Sequence, residues 1–90
     1  MKHDNGWSTQ IASDVTRDGL GVELLSSNGE IIAEAFRCDA ENTVSVACWS
    51  SRVTDEVLGW LLPYAHAELH EFEDGTALPP WADWPVAHET

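Results

Sequence analysis

Basic side chains are scarce in this chain. Four Lys and Arg stand against sixteen Asp and Glu in 90 residues, a formal net charge of −12. Such a surface repels phosphate backbones and anionic headgroups, so neither direct nucleic-acid binding nor a membrane partner is expected. Long apolar runs are also missing. No stretch approaches the roughly 18 residues a membrane-spanning helix requires. Residues Met1 to Gly6 lack the apolar centre of an export signal, which makes a cytoplasmic location the expectation. Cysteine is limited to Cys38 and Cys48, without the C-x-x-C spacing of a redox or zinc site. There is no Gly-rich phosphate loop and no nucleophile elbow, so no catalytic residue and no cofactor is expected.

The chain does contain a clear alternation. Val22–Ser27 and Glu30–Arg37 flank Asn28-Gly29, a dipeptide that tolerates the positive φ of a tight hairpin. A two-residue loop would pair Ser27 with Glu30, Leu24 with Ala33 and Val22 with Ala35. A four-residue turn over 39–42 would then set Val46 beside Ala35 and Cys48 beside Ala33. These registers agree: Val22, Leu24, Ala33, Ala35, Val44, Val46 and Cys48 share one face. Cys38 and Cys48 fall on opposite faces, which opposes a disulfide between them. Residues 9–18 read either as a strand or as a short helix. The Asp18-Gly19 pair favours a strand turning tightly into the next.

Thr54 is a helix N-cap, with Asp55 and Glu56 at the positive end. Leu58, Leu61, Leu62, Ala65, Leu69 and Phe72 form one helical stripe, which should cover the apolar sheet face. Pro63 should kink that helix and Gly75 should end it. The expected fold is α+β: an antiparallel meander of three or four strands, one kinked helix across one face, and an extended Trp/Pro-rich tail. A single domain over 1–75, with a flexible lead-in over 1–8, precedes the tail at 76–90.

Candidate sites follow from this register. Leu25, Ile32 and Trp49 should form a row on the open sheet face, with Phe36 further along. Val57, Trp60 and Tyr64 should form an outward ridge on the helix. Either surface suits a partner, and Trp81 and Trp84 of the tail either cover one of them or join it. Glu23, Glu34, Glu68, Glu71, Glu73 and Asp74 supply an acidic surface suited to a basic protein. Glu71, Glu73 and Asp74 would burden the negative end of the helix dipole. His66 and His70, one turn apart and near Glu73, are the residues best spaced for a metal, but they lack a fourth ligand; no metal is expected.

The reading that follows is a non-catalytic protein–protein interaction module that forms a homodimer. One alternative is an acidic inhibitor, nucleic-acid mimic or toxin-neutralising protein that binds a basic partner. Another is a metal protein or enzyme centred on His66 and His70.

Overall fold

The computed structural model describes residues 6–89. Five strands form one sheet in the order β1-β2-β3-β4-β5: β1 (Ser8–Asp14), β2 (Gly19–Leu25), β3 (Ile31–Cys38), β4 (Thr43–Cys48) and β5 (Val86–His88). A single helix, α1 (Asp55–Leu69), lies between β4 and a one-turn 3₁₀ helix at Trp81–Asp83. The chain is therefore α+β, with a sheet and one helix. The sheet exceeds the expected meander by its last strand, which runs parallel to β4 and pairs Val46 with Val86. The tail is thus extended only in part. Residues 9–14 are strand, and the turn into β2 spans four residues, with Asp18 at positive φ.

The core follows from the alternation. Val22, Leu24, Ala33, Ala35, Val44, Val46 and Cys48 are all buried on one face, beneath Leu58, Leu61, Leu62, Ala65 and Leu69 of the helix. Each large side chain in such a layer contributes about 1.5–3 kcal/mol. The pairings Val22↔Ala35, Leu24↔Ala33, Ala35↔Val46 and Ala33↔Cys48 are those the turns imply.

The first hairpin reaches its register by another route. Gly29 N–H donates to Ser26 O at 2.9 Å and Ser26 N–H to Glu30 O at 2.8 Å. The loop therefore has three residues, with Gly29 at φ 85°, a common hairpin alternative. That shifts the ladder by one and pairs Leu25 with Ile31. A bulge at Ile32 then restores Leu24↔Ala33. A bulge leaves one residue without a cross-strand partner and re-aims its neighbours. Here it turns Ile32 into the core cluster with Trp7 and Val53, at 2% exposure. Ile32 is therefore not part of an open-face row; Ile31 takes that place.

Thr54 caps the helix as expected, accepting from Val57 N–H at 3.3 Å. The helix runs uninterrupted through Pro63 but stops at Leu69, well before Gly75. His70 adopts φ 58° at the C-cap, a left-handed value that ends the helix there. Phe72 is buried beyond the helix rather than on its stripe. Arg37, on the helix-facing side of β3, donates through Nη1 to Leu69 O and, at 2.8 Å, to Glu71 O. Its Nη2 donates to Asp39 Oδ2 at 3.1 Å. A cation thus sits on the negative helix end, where it is favoured. Glu71, Glu73 and Asp74 lie outside the helix and impose no last-turn penalty.

Candidate interaction surfaces

The sheet face opposite the helix is built on two glycines. Gly19 and Gly21 both point there, and a Cβ on Gly21 would lie 2.6 Å from Glu34 Oε2. The Glu34 side chain rests in the space Gly21 leaves, and the Phe36 ring in that left by Gly19. Arg17, in the turn after β1, donates to Glu34 Oε1 and Oε2 at 2.9 Å each. Its Nε donates to Asp14 Oδ2 at 2.6 Å. Its guanidinium stacks 3.9 Å from the Phe36 ring centroid, a favourable cation–π distance. The Arg17 hydrogen bonds hold the Asp14 carboxyl below its ordinary range, and Glu34 chiefly raises the Arg17 affinity for its proton.

This cluster corrects two expectations. Glu34 is 6% exposed and Phe36 is also buried, so neither presents a surface to a partner. Glu23 does stand opposite Glu34, but the two carboxylates have separate donors: Gln10 Nε2 meets Glu23 Oε1 at 2.6 Å. Both Glu34 oxygens are committed to Arg17, and the Cys38 Sγ alongside lies 3.6 Å from the Arg17 carbonyl. An open groove of about 460 Å³ lined by Arg17, Phe36, Cys38, Ala40, Glu41, Thr43 and Ser45 continues from this cluster.

Further along the same face, Leu25 is half-buried opposite Ile31, which is 41% exposed. Trp49 follows β4, is 43% exposed, and its backbone N–H donates to Ile32 O at 2.8 Å. Leu25, Ile31 and Trp49 are the apolar groups this face leaves to solvent. The bulge explains why alternation alone selected Ile32 instead of Ile31.

The helix ridge is less open than its 100° spacing suggests. Val57, Trp60 and Tyr64 are partly buried and pack against the core cluster. Thr9 Oγ1 lies 3.4 Å from Tyr64 Oη, which joins β1 to the helix. Of the tail aromatics, Trp84 is buried and stacks on His66 at 5.7 Å between centroids. Its Nε1 donates to Pro79 O at 2.9 Å. Trp81 stays exposed. The tail therefore packs on the helix side and leaves the open sheet face uncovered.

His66 stacks on Trp84 and His70 is the helix C-cap, and the two histidines line one open hollow with Glu71, Ala77 and Leu78. Among the described residues no group of three or more His, Cys, Asp or Glu is placed to hold a metal ion. Both cysteines are free; Cys48 is fully buried, and burial pushes its thiol affinity up. Among the described residues no helix is long and apolar enough to cross a membrane.

Glu71, Glu73 and Asp74 are exposed and Glu68 is half-exposed. Asp74 accepts from Thr76 N–H and Asn42 Nδ2, both at 2.9 Å, and these bonds, Thr76 first, lower its pKa. The arginines all have internal contacts. Arg52 hydrogen-bonds Ser50 and lies 5.7 Å from the Trp7 ring centroid. Internal use of the cations leaves the acids to dominate the exterior.

Comparison with protein-family models, with curated proteins and with solved structures gave no match.

Proposed function

We propose that this protein is a non-catalytic interaction module that self-associates and offers Leu25, Ile31 and Trp49 to a protein partner. The observation that supports this reading is the exposure of Ile31 and Trp49 on a face where Phe36 is already sealed by Arg17. Apolar groups clustered on an open sheet face mark contact surfaces, and Trp is enriched where binding energy concentrates. The test is affinity capture with the parent and with Trp49→Ser, after circular dichroism shows that the variant keeps its fold. A protein retained by the parent and lost by the variant supports the patch. Equal retention by both removes it.

A second reading has its own support. The exposed carboxylates Glu71, Glu73 and Asp74, in a chain of net charge −12, suit a basic protein partner. A module of this kind would act as an acidic inhibitor or nucleic-acid mimic. Its complex would weaken steeply with salt and would be displaced by DNA or RNA.

A further inference from the structure

The groove beside Phe36 is built on two cross-strand pairs. Phe36 faces Ser45 and Cys38 faces Thr43 across β3 and β4. Arg17 overhangs the Phe36 ring, and Ala40 and Glu41 come from the turn that follows β3. The volume of about 460 Å³ falls within the range of small-ligand clefts, roughly 300–1,000 Å³. Such clefts enclose most of a free ligand, whereas this groove is open. It suits a side chain that reaches in from a partner's surface.

The groove has acceptors to spare and no free cation. Glu41, Thr43 and Ser45 are exposed. Among the described residues the two hydroxyls have no hydrogen-bond partner, and the Glu41 carboxylate meets only the Cys38 thiol, with Sγ 3.9 Å from Oε1. Arg17 adds no net positive charge, because its one cation is shared by the carboxylates of Asp14 and Glu34. Asp18 is exposed in the neighbouring turn, where its carbonyl accepts from Asp39 N–H at 2.9 Å. On the far side, Asn42 Nδ2 donates to Asp74 at 2.9 Å and Glu73 N–H to Asp39 Oδ1 at 3.0 Å. The 39–42 turn thus joins the groove to the acidic surface of Glu71, Glu73 and Asp74.

We infer that this groove receives a lysine side chain of a basic protein, its ammonium held by Glu41 and by the hydroxyls of Thr43 and Ser45. This rests on the basic-partner reading above and gives that partner a point of entry on the open sheet face. An ammonium has three donors and no acceptor, which matches one carboxylate and two hydroxyls without donors of their own. A guanidinium fits less well. It gains most from stacking on an aromatic face and from a bidentate carboxylate, and Arg17 already covers the Phe36 ring. An anion fits worst, since the guanidinium in the groove is committed to Asp14 and Glu34. The net charge of −12 draws a basic partner from a distance, and the groove supplies the local contact.

The test uses the full chain and a decalysine peptide at low salt, where exposed charges are least screened. Binding is measured for the parent, Glu41→Gln, Ser45→Leu and Glu30→Gln. Glu30→Gln removes the same charge from the hairpin at the other end of β3, and Ser45→Leu fills the groove without changing charge. Circular dichroism checks that each variant keeps the parent fold. Glu41→Gln and Ser45→Leu should each bind the peptide about five-fold more weakly than Glu30→Gln does. The bound peptide should also slow thiol labelling of Cys38 on the parent. Binding that leaves Cys38 unshielded, or that Glu41→Gln and Ser45→Leu weaken no more than Glu30→Gln, overturns the groove and leaves the basic-partner reading standing. A parent that does not bind decalysine at low salt overturns both.

Discussion

Arg17 holds Glu34 through two parallel hydrogen bonds of 2.9 Å on a sheet face that no helix covers. The two ends of the pair differ in setting. Glu34 is buried, whereas Arg17 is about half exposed. Removing the arginine strands a carboxylate that the sheet encloses. Removing the carboxylate strands a cation that water already reaches. Arg17→Met should therefore cost about 1–3 kcal/mol in urea denaturation, the penalty for leaving a buried acceptor unpaired. Adding Glu34→Leu should recover most of that loss, because a fully removed pair is cheaper than a broken one. If the double variant only sums the two single losses, the pair is not coupled as the geometry implies.

The sheet was legible because its two turns constrained each other. Asn28-Gly29 set Ala33 and Ala35 beside Leu24 and Val22, the 39–42 turn independently set them beside Cys48 and Val46, and the two apolar faces coincide. Two local departures, a three-residue loop and a bulge, cancel in the hairpin and so left the wider register intact. What alternation could not encode was the identity of the bulged residue, so Ile32 was placed on the wrong face. Phe36 and Glu34 lie on the open face as expected but are buried there, for a different reason. Their burial depends on Arg17 reaching back from a turn across two glycines, a tertiary contact with no periodic signature. The helix end failed similarly. The stop is at His70, with Arg37 from another strand bonding the Leu69 carbonyl, while Gly75 serves a later turn, where its N–H meets Phe72 O at 2.9 Å.

Glycines should respond to alanine according to what surrounds them. A Cβ on Gly19 would meet Arg37 O, a backbone atom, at 2.1 Å and Phe36 Cζ at 2.5 Å. Neither can yield without moving the sheet, so Gly19→Ala should cost at least about 1–3 kcal/mol. Gly59 lies exposed within α1 with nothing near its missing Cβ. Gly59→Ala should stabilise by about 0.8–1 kcal/mol, the difference in helix propensity. Thermal denaturation of the two variants tests both signs, and a stabilised Gly19→Ala would contradict the close approach of β2 to β3.

The thiols should separate cleanly. Cys38 is half-exposed and Cys48 is enclosed in the core cluster, with its ionisation opposed by burial. The thiolate is the reactive form, so burial suppresses Cys48 twice, through access and through charge. A thiol reagent under native conditions should modify one cysteine per chain, located at Cys38 by peptide mapping. Cys48 should react only on denaturation. Rapid native labelling of Cys48 would mean that the core cluster is open at the end of β4.

Strong acid should loosen the turns that hold Asp14 and Asp74. Asp14 is lowered chiefly by its hydrogen bond with Arg17, and Asp74 by its bonds with Thr76 and then Asn42. A carboxyl whose folded pKa is depressed binds its proton more weakly in the folded chain than in the unfolded one. Its stabilisation is therefore complete above the ordinary value of 3.8 and is lost as pH falls below that value through the folded pKa. Carboxyl-carbon NMR titration should place both midpoints below 3.8. Asp74→Asn keeps an oxygen for Thr76 N–H but cannot titrate, so the thermal midpoint of that variant should fall less steeply below pH 3.8 than the parent's. Midpoints at or above the ordinary value would show that neither turn holds its carboxylate in the charged, hydrogen-bonded form.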